Sequence, residues 1–123
     1  GIVSGLKYGE SAVALMIVDG LKEMAALSAA LGGCKESFFE LCGVGDVVLT
    51  CTSKQSRNVA FGEYIATGGD INHWNGNLAE GAFTIGAIPL LEKNSGIKLS
   101  LFSELHEVVY GRRNFCYFSR QRI

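Results

Sequence analysis

The residues best placed to do chemistry lie in one stretch, Gly43-Val44-Gly45-Asp46-Val47-Val48-Leu49-Thr50-Cys51-Thr52-Ser53-Lys54-Gln55-Ser56-Arg57-Asn58, with Phe61-Gly62 shortly after. Asp46 follows a glycine pair that permits close approach of the backbone, and Thr50 comes one helical turn later, so both face the same way. Ser56-Arg57-Asn58 stands at a helix start, where free amide hydrogens and the helix dipole favour an anion. An arginine fork and an asparagine amide added to that end make a phosphate cradle. The same residues admit a plainer reading, in which Asp46 is a cap and Ser56-Arg57-Asn58 a capping serine beside a surface charge.

Other reactive side chains offer less. His73 and His106 are far apart, with no second ligand at metal spacing, and read as surface or core histidines. The four cysteines, Cys34, Cys42, Cys51 and Cys116, form no CxxC pair. Neither structural zinc nor a disulfide framework is expected, and all four read as reduced thiols of a cytosolic protein. Cys51 reads as a small packed side chain rather than a nucleophile.

These residues must be held by helices, since the chain has one proline and little strict alternation. The first is expected from Ser11, as its cap, to Leu31, with Ile17, Leu21, Met24, Ser28 and Leu31 as the buried stripe and Gly32-Gly33 as the stop. Ala25, Ala26, Ala29 and Ala30 would admit a neighbour closely. A short helix over Lys35 to Cys42 comes next, then one carrying Asp46 to Cys51. Val47-Val48-Leu49 could form a buried strand, but nothing else in the chain offers it a partner. A further helix runs from about Arg57 to Gly68-Gly69. Asp70 to Asn77, with the sole tryptophan, Trp74, reads as a loop. The last two helices span about Ala79 to Asn94, kinked near Ile85 by Pro89, and Ser100 to Tyr110. Phe38, Phe39, Phe61, Phe83 and Phe102 are assigned to the core. The fold class is all-α, an irregular helical bundle of one domain over residues 1–123.

Length and charge agree with one globular domain. The chain has 123 residues, is 48% hydrophobic, and carries 11 basic against 12 acidic side chains. That balance lacks the basic excess of a nucleic-acid binder. Arg112, Arg113, Arg120 and Arg122 cluster near the C-terminus and read as a solvated tail. The longest apolar run, Ala12 to Val18, is too short to span a bilayer. Gly1-Ile2-Val3-Ser4-Gly5-Leu6 has no initiator methionine and no targeting character, and reads as the interior of a longer chain.

Gly-x-Gly-Asp-x-x-x-Thr-Cys-x-Ser-x-x-Ser-Arg-Asn, followed by Phe-Gly, resembles the bacterial type of NAD(P)-dependent glycerol-3-phosphate dehydrogenase. Gly1-Ile2-Val3-Ser4-Gly5-Leu6 is similar to that family's Gly-Ile-x-x-Gly-Leu, Gly20-Leu21-Lys22-Glu23-Met24 to its Gly-Leu-x-Glu-Met, and Ala79-Glu80-Gly81 to its Val-Glu-Gly, with Thr84 on the helix that follows. The likeness runs to about Tyr110. It implies the C-terminal substrate domain of a two-domain enzyme of the 6-phosphogluconate-dehydrogenase-like type, after an N-terminal Rossmann domain that holds NAD or NADP. It further implies hydride transfer between sn-glycerol 3-phosphate and dihydroxyacetone phosphate, cytoplasmic and feeding glycerophospholipid synthesis, without metal, nucleic acid or a membrane span, and with a homo-oligomer open. Asp46 would be the general acid/base beside the substrate and Thr50 would line the same wall. Ser56, Arg57 and Asn58 would bind the substrate, chiefly its phosphate. Arg57, Leu78 and Glu80 would touch the cofactor. The family's catalytic lysine belongs to a Lys-Asn pair upstream of Gly1, so this segment alone is expected to be inactive. Asp19, Ser100, Pro89 and the Asn72–Asn75 loop depart from the family pattern.

Two other readings stand beside this one. One is a non-catalytic helical module for dimerisation or partner binding. The other is the helical domain of a different hydroxyacid or sugar-acid dehydrogenase, which would not need the Ser56-Arg57-Asn58 phosphate end.

Overall fold

The computed structural model describes residues 1–120, apart from the side chain of Lys35. Arg122, one of the four tail arginines, lies outside the described residues. Helices α1 (Ile2–Gly5), α2 (Glu10–Ala30) and α3 (Lys35–Phe38) lead into a single π-helical turn (Leu41–Gly45). Then come α4 (Asp46–Thr52), α5 (Arg57–Ala66), a 3₁₀ turn (Ile71–His73), α6 (Glu80–Gly86), α7 (Ile88–Ser95), α8 (Ser100–Val109) and α9 (Tyr117–Arg120). Among the described residues there is no strand, as the all-α expectation required.

The core forms where α1, α5, α6 and α8 meet. Ile2, Phe61, Ile65, Ala79, Ala82, Val108 and Val109 are buried together, with Tyr64, Trp74, Leu105 and Phe115 packed against them. α1 lies on α5, where Gly62 leaves room: a Cβ there would stand 2.7 Å from the Ile2 amide nitrogen. Trp74 meets Phe61 edge to face at 5.5 Å, and its indole N–H donates to the Asn77 carbonyl at 3.0 Å. Tyr64 closes the turn after α5, since its hydroxyl donates to the Asp70 carbonyl and accepts from the Asp70 N–H, both at 3.0 Å.

Carboxylates tie the helices together by capping. Glu23 of α2 accepts from the Leu101 and Phe102 N–H groups at 2.7 and 3.1 Å, which satisfies first-turn donors of α8 that no local side chain caps. Glu92 of α7 accepts from the N–H of the fully buried Leu99 at 2.6 Å and from the Ser103 hydroxyl at 2.8 Å.

The sequence expectations need several corrections. α2 starts at Glu10, with Gly9 rather than Ser11 at the cap position. It ends in the expected turn, with Gly33 N–H donating to Ser28 O at 2.7 Å and Gly32 N–H to Ala29 O at 3.1 Å. Its expected stripe, however, is not buried: Ile17, Leu21, Met24 and Ser28 are half-exposed and Leu31 is open to solvent. α3 stops at Phe38, and the π turn begins only at Leu41, so the expected helix does not reach Cys42. Pro89 breaks the Ala79–Asn94 helix outright at Ala87 instead of kinking it near Ile85, and sits in the first turn of α7, where its missing N–H costs nothing. Of the five phenylalanines assigned to the core, Phe61 is buried, Phe38 and Phe102 are half-buried, and Phe39 and Phe83 are exposed. Cys51 is exposed rather than packed.

The chain end also corrects the solvated-tail reading. Buried Glu104 accepts from the Cys116 N–H at 2.7 Å and from the Arg120 guanidinium at 2.8 Å. Tyr117 is buried and its hydroxyl donates to Asp19 at 3.2 Å. Arg112 pairs with Asp70, and Arg113 pairs with Glu107 at 3.3 Å. Three of the tail arginines therefore fasten the segment after α8 instead of fraying from it.

Candidate functional site

α4 and α5 are joined by the short Ser53–Ser56 turn, so the residues singled out by spacing arrive on neighbouring helix ends. The Ser53 hydroxyl accepts from the Gln55 N–H at 3.2 Å and shapes that turn. Ser56 then caps α5 as its type predicts, with its hydroxyl accepting from the Val59 N–H at 3.3 Å. Arg57 opens the helix, is exposed, and has no carboxylate within ion-pair distance among the described residues. Asn58 reaches across to α6, where its Oδ1 accepts from the Gly81 N–H at 3.0 Å. That bond holds the starts of α5 and α6 side by side, and Arg57 and Glu80 line the same pocket.

The result is an open pocket of about 210 Å³ lined by Thr50, Gln55, Ser56, Arg57, Asn58 and Glu80. Five of the seven residues expected at the site thus share one cleft. Asp46 and Leu78 do not line it. Asp46 begins α4, exposed, one turn before Thr50, and Leu78 is exposed just ahead of α6. Gln55 also lines the cleft; it stands inside the block of chemistry-bearing residues, but an amide in a polar turn carries no sequence signal of its own. In the sequence Gly81 shows only as part of a Glu-Gly pair, because its contact with Asn58 spans 23 positions.

The chemistry of the cleft is divided. Its α5 side offers the cationic fork of Arg57 and the amide of Asn58 over a helix N-terminus, which suits an anion. Its α6 side offers the Glu80 carboxylate, which only accepts and suits hydroxyl groups. Cys51 lies next to Thr50 on α4. Although the residue is open to solvent, its sulfur is partly enclosed. Desolvation pushes the thiol above its ordinary range, and the Gly1 amino group opposes the shift. A raised thiol is the opposite of what a nucleophilic cysteine needs. His73 and His106 take no part in the cleft: His73 pairs with Asp70 at 3.3 Å, and His106 stacks on Tyr110 at 5.2 Å. No helix among the described residues is long and apolar enough to cross a membrane.

Comparison with known proteins gives a consistent result. A family model described as "NAD-dependent glycerol-3-phosphate dehydrogenase C-terminus" matches residues 1–118. Proteins named glycerol-3-phosphate dehydrogenase [NAD(P)+] align with nearly the whole chain. One from Geobacillus thermodenitrificans is 39% identical over 93% of this chain and 34% of its own length. One from Clostridium botulinum is 34% identical over 93% and 36%, and one from Vibrio cholerae 35% over 89% and 33%. The chain therefore spans about a third of the length of the curated relatives it matches. On this evidence the chain belongs to the family of C-terminal regions of NAD-dependent glycerol-3-phosphate dehydrogenases.

Proposed function

We propose that this chain is the substrate-side domain of an enzyme that interconverts sn-glycerol 3-phosphate and dihydroxyacetone phosphate with NAD or NADP. The observation that carries this is the single cleft in which Thr50, Ser56, Arg57, Asn58 and Glu80 meet. Arg57 grips the substrate phosphate with its planar fork, the α5 N-terminus adds partial positive charge, and Asn58 donates beside it. Thr50 offers a hydroxyl to the polar end of the substrate. Asp46, exposed one turn earlier on α4, holds or releases the proton that accompanies conversion between hydroxyl and carbonyl. The nicotinamide, when bound, supplies or accepts the hydride.

The donor set fits such a cofactor from one side only. Glu80 can accept from sugar hydroxyls, Arg57 can meet a phosphate, and exposed Leu78 can cover an apolar ring face. A nucleotide-binding domain and a lysine outside this sequence complete the site. The exposed thiols Cys34, Cys42 and Cys51 suit a reducing, cytoplasmic setting. A second role for the segment, as a docking or dimerising module, is favoured by the apolar side chains left open on α2, in the π turn, on α4 and at Phe39 after α3, and is compatible with the first.

Arg57 decides the matter. A hydrogen bond to a charged group contributes about 1.5–3 kcal/mol, and about 1.4 kcal/mol is tenfold in affinity. In the full-length enzyme, Arg57→Ala is expected to raise KM for dihydroxyacetone phosphate by about ten- to a hundredfold, and Arg57→Lys to rescue only part, because a point charge cannot make the paired contact. An Arg57→Ala enzyme with unchanged KM and kcat refutes the assignment. The 123-residue chain alone is expected to oxidise no NADH with dihydroxyacetone phosphate, since the reaction needs both reactants held at near-attack distance.

A further inference from the structure

α6 begins without a cap of its own. Ala79 occupies the cap position and has no side-chain acceptor. The orphan N–H of Gly81 goes instead to Asn58 Oδ1, 3.0 Å away and 23 positions earlier in the chain. A backbone N–H can only donate, so the end of the carboxamide facing it must be the oxygen. That leaves the NH₂ end, with both its hydrogens, for the pocket that Asn58 lines.

Gly81 has an ordinary helical backbone and no positive φ, so its backbone conformation does not require glycine, and alanine would be the better helix former there. What glycine provides is proximity. A Cβ at position 81 would stand 2.8 Å from Asn58 Oδ1, 3.2 Å from Cγ and 3.6 Å from Nδ2, and these are its three nearest neighbours. A methyl group there would press on the end of one side chain and on no backbone atom among those three. Asn58 is therefore the group that would give way.

We infer that Gly81 is a positioning residue of the substrate pocket: it touches no ligand, and it sets the height and orientation of the Asn58 carboxamide. This rests on the reading of the cleft as the substrate site. It predicts a coupling that a purely structural glycine would not show.

The test is steady-state kinetics of the full-length enzyme carrying Gly81→Ala, Asn58→Ala or both, with melting temperatures measured alongside. Gly81→Ala is expected to fold, to leave KM for NAD(P)H unchanged, and to raise KM for dihydroxyacetone phosphate by about tenfold or more, the scale of a misplaced contact. Asn58→Ala raises the same KM comparably, and the double variant is no worse than Asn58→Ala, within about twofold, because the carboxamide through which Gly81 acts is gone. If Gly81→Ala has no effect, or multiplies KM by the same factor on both backgrounds, the inference is overturned while the substrate site stands. If Asn58→Ala itself leaves KM unchanged, the reading of the site fails first. Should Gly81→Ala not fold, Asn58→Asp decides. Its carboxylate still accepts from the Gly81 N–H, so it is expected to melt above Asn58→Ala while binding substrate no better. Equal melting of the two overturns the orienting bond.

Discussion

Where α5, α6 and α8 meet, Phe61, Ile65, Ala82, Val108 and Val109 are closed off from solvent, whereas none of the 21 residues of α2 is buried. The neighbours of α2 are no better covered: Leu41 in the π turn is 83% exposed, Leu49 in α4 69% and Phe39 after α3 63%. The two regions do not differ in how apolar they are, because α2 carries hydrophobic residues on every side. A helix of that kind belongs inside a larger body, and a lone soluble domain rarely leaves such a surface open. One region completes its own core. The other has side chains suited to a core and nothing among the described residues that closes over them, as expected of a segment spanning a third of its relatives' length.

That contrast can be broken by measurement, and the largest effect should come from the closed region. Leu99 is fully buried between α7 and α8, so Leu99→Ala should cost about 2–5 kcal/mol in urea unfolding of this chain, against at most about 0.5 kcal/mol for Leu49→Ala. Equal costs would erase the distinction. Next comes the docked tail. Glu104→Gln removes a buried charged acceptor for the Cys116 N–H and Arg120 and should cost about 1.5–3 kcal/mol. Arg120→Ala, on the exposed side of the same pair, should cost under about 1 kcal/mol by the same unfolding assay. The open region should reveal itself in association rather than stability. The chain is expected to self-associate at high concentration, and serine at both Leu41 and Leu49 should weaken this by about tenfold in sedimentation equilibrium, as lost apolar burial implies. The smallest effect concerns Cys51. Because desolvation raises its thiol, iodoacetamide should label it more slowly at neutral pH than a free cysteine. Its rate should keep climbing as alkaline pH forms the thiolate. Faster labelling than free cysteine would mean the sulfur is not enclosed.

What could be read from the sequence followed a physical division. Local rules held where the deciding atoms are neighbours in the chain: Ser56 caps α5, Gly32-Gly33 ends α2, and Asp46–Thr52 is helix rather than strand. They failed where the deciding partner is distant. Periodicity marks Ile17, Leu21 and Met24 as an apolar face but cannot say whether anything covers it. Nothing local reveals that Glu104 awaits Arg120 and the Cys116 amide, so the tail reads as free. Phe39 and Phe83 look like core residues by type alone. At the site, the spacing from Thr50 to Asn58 brought most of the cleft into view, while Glu80 came through the family likeness and Gln55 not at all. Pro89 was legible as a disruption, but whether it kinks or breaks the helix depended on Gly86 and Ala87 ending α6 just before it.

Glu23 gives the molecule a history as well as a shape. The donors it caps on α8 lie 78 and 79 positions further along the chain. At a synthesis rate of about 5–20 residues per second, that separation is roughly 4–16 seconds on the ribosome. Throughout that interval α2 is already made, is apolar on every side, and lacks the Glu23 carboxylate tie that binds it to α8. Among the described residues the longest helix is thus tied down by nearly the last one to emerge, and since no residue of α2 is buried even then, the tie fixes where α2 lies without sheltering it.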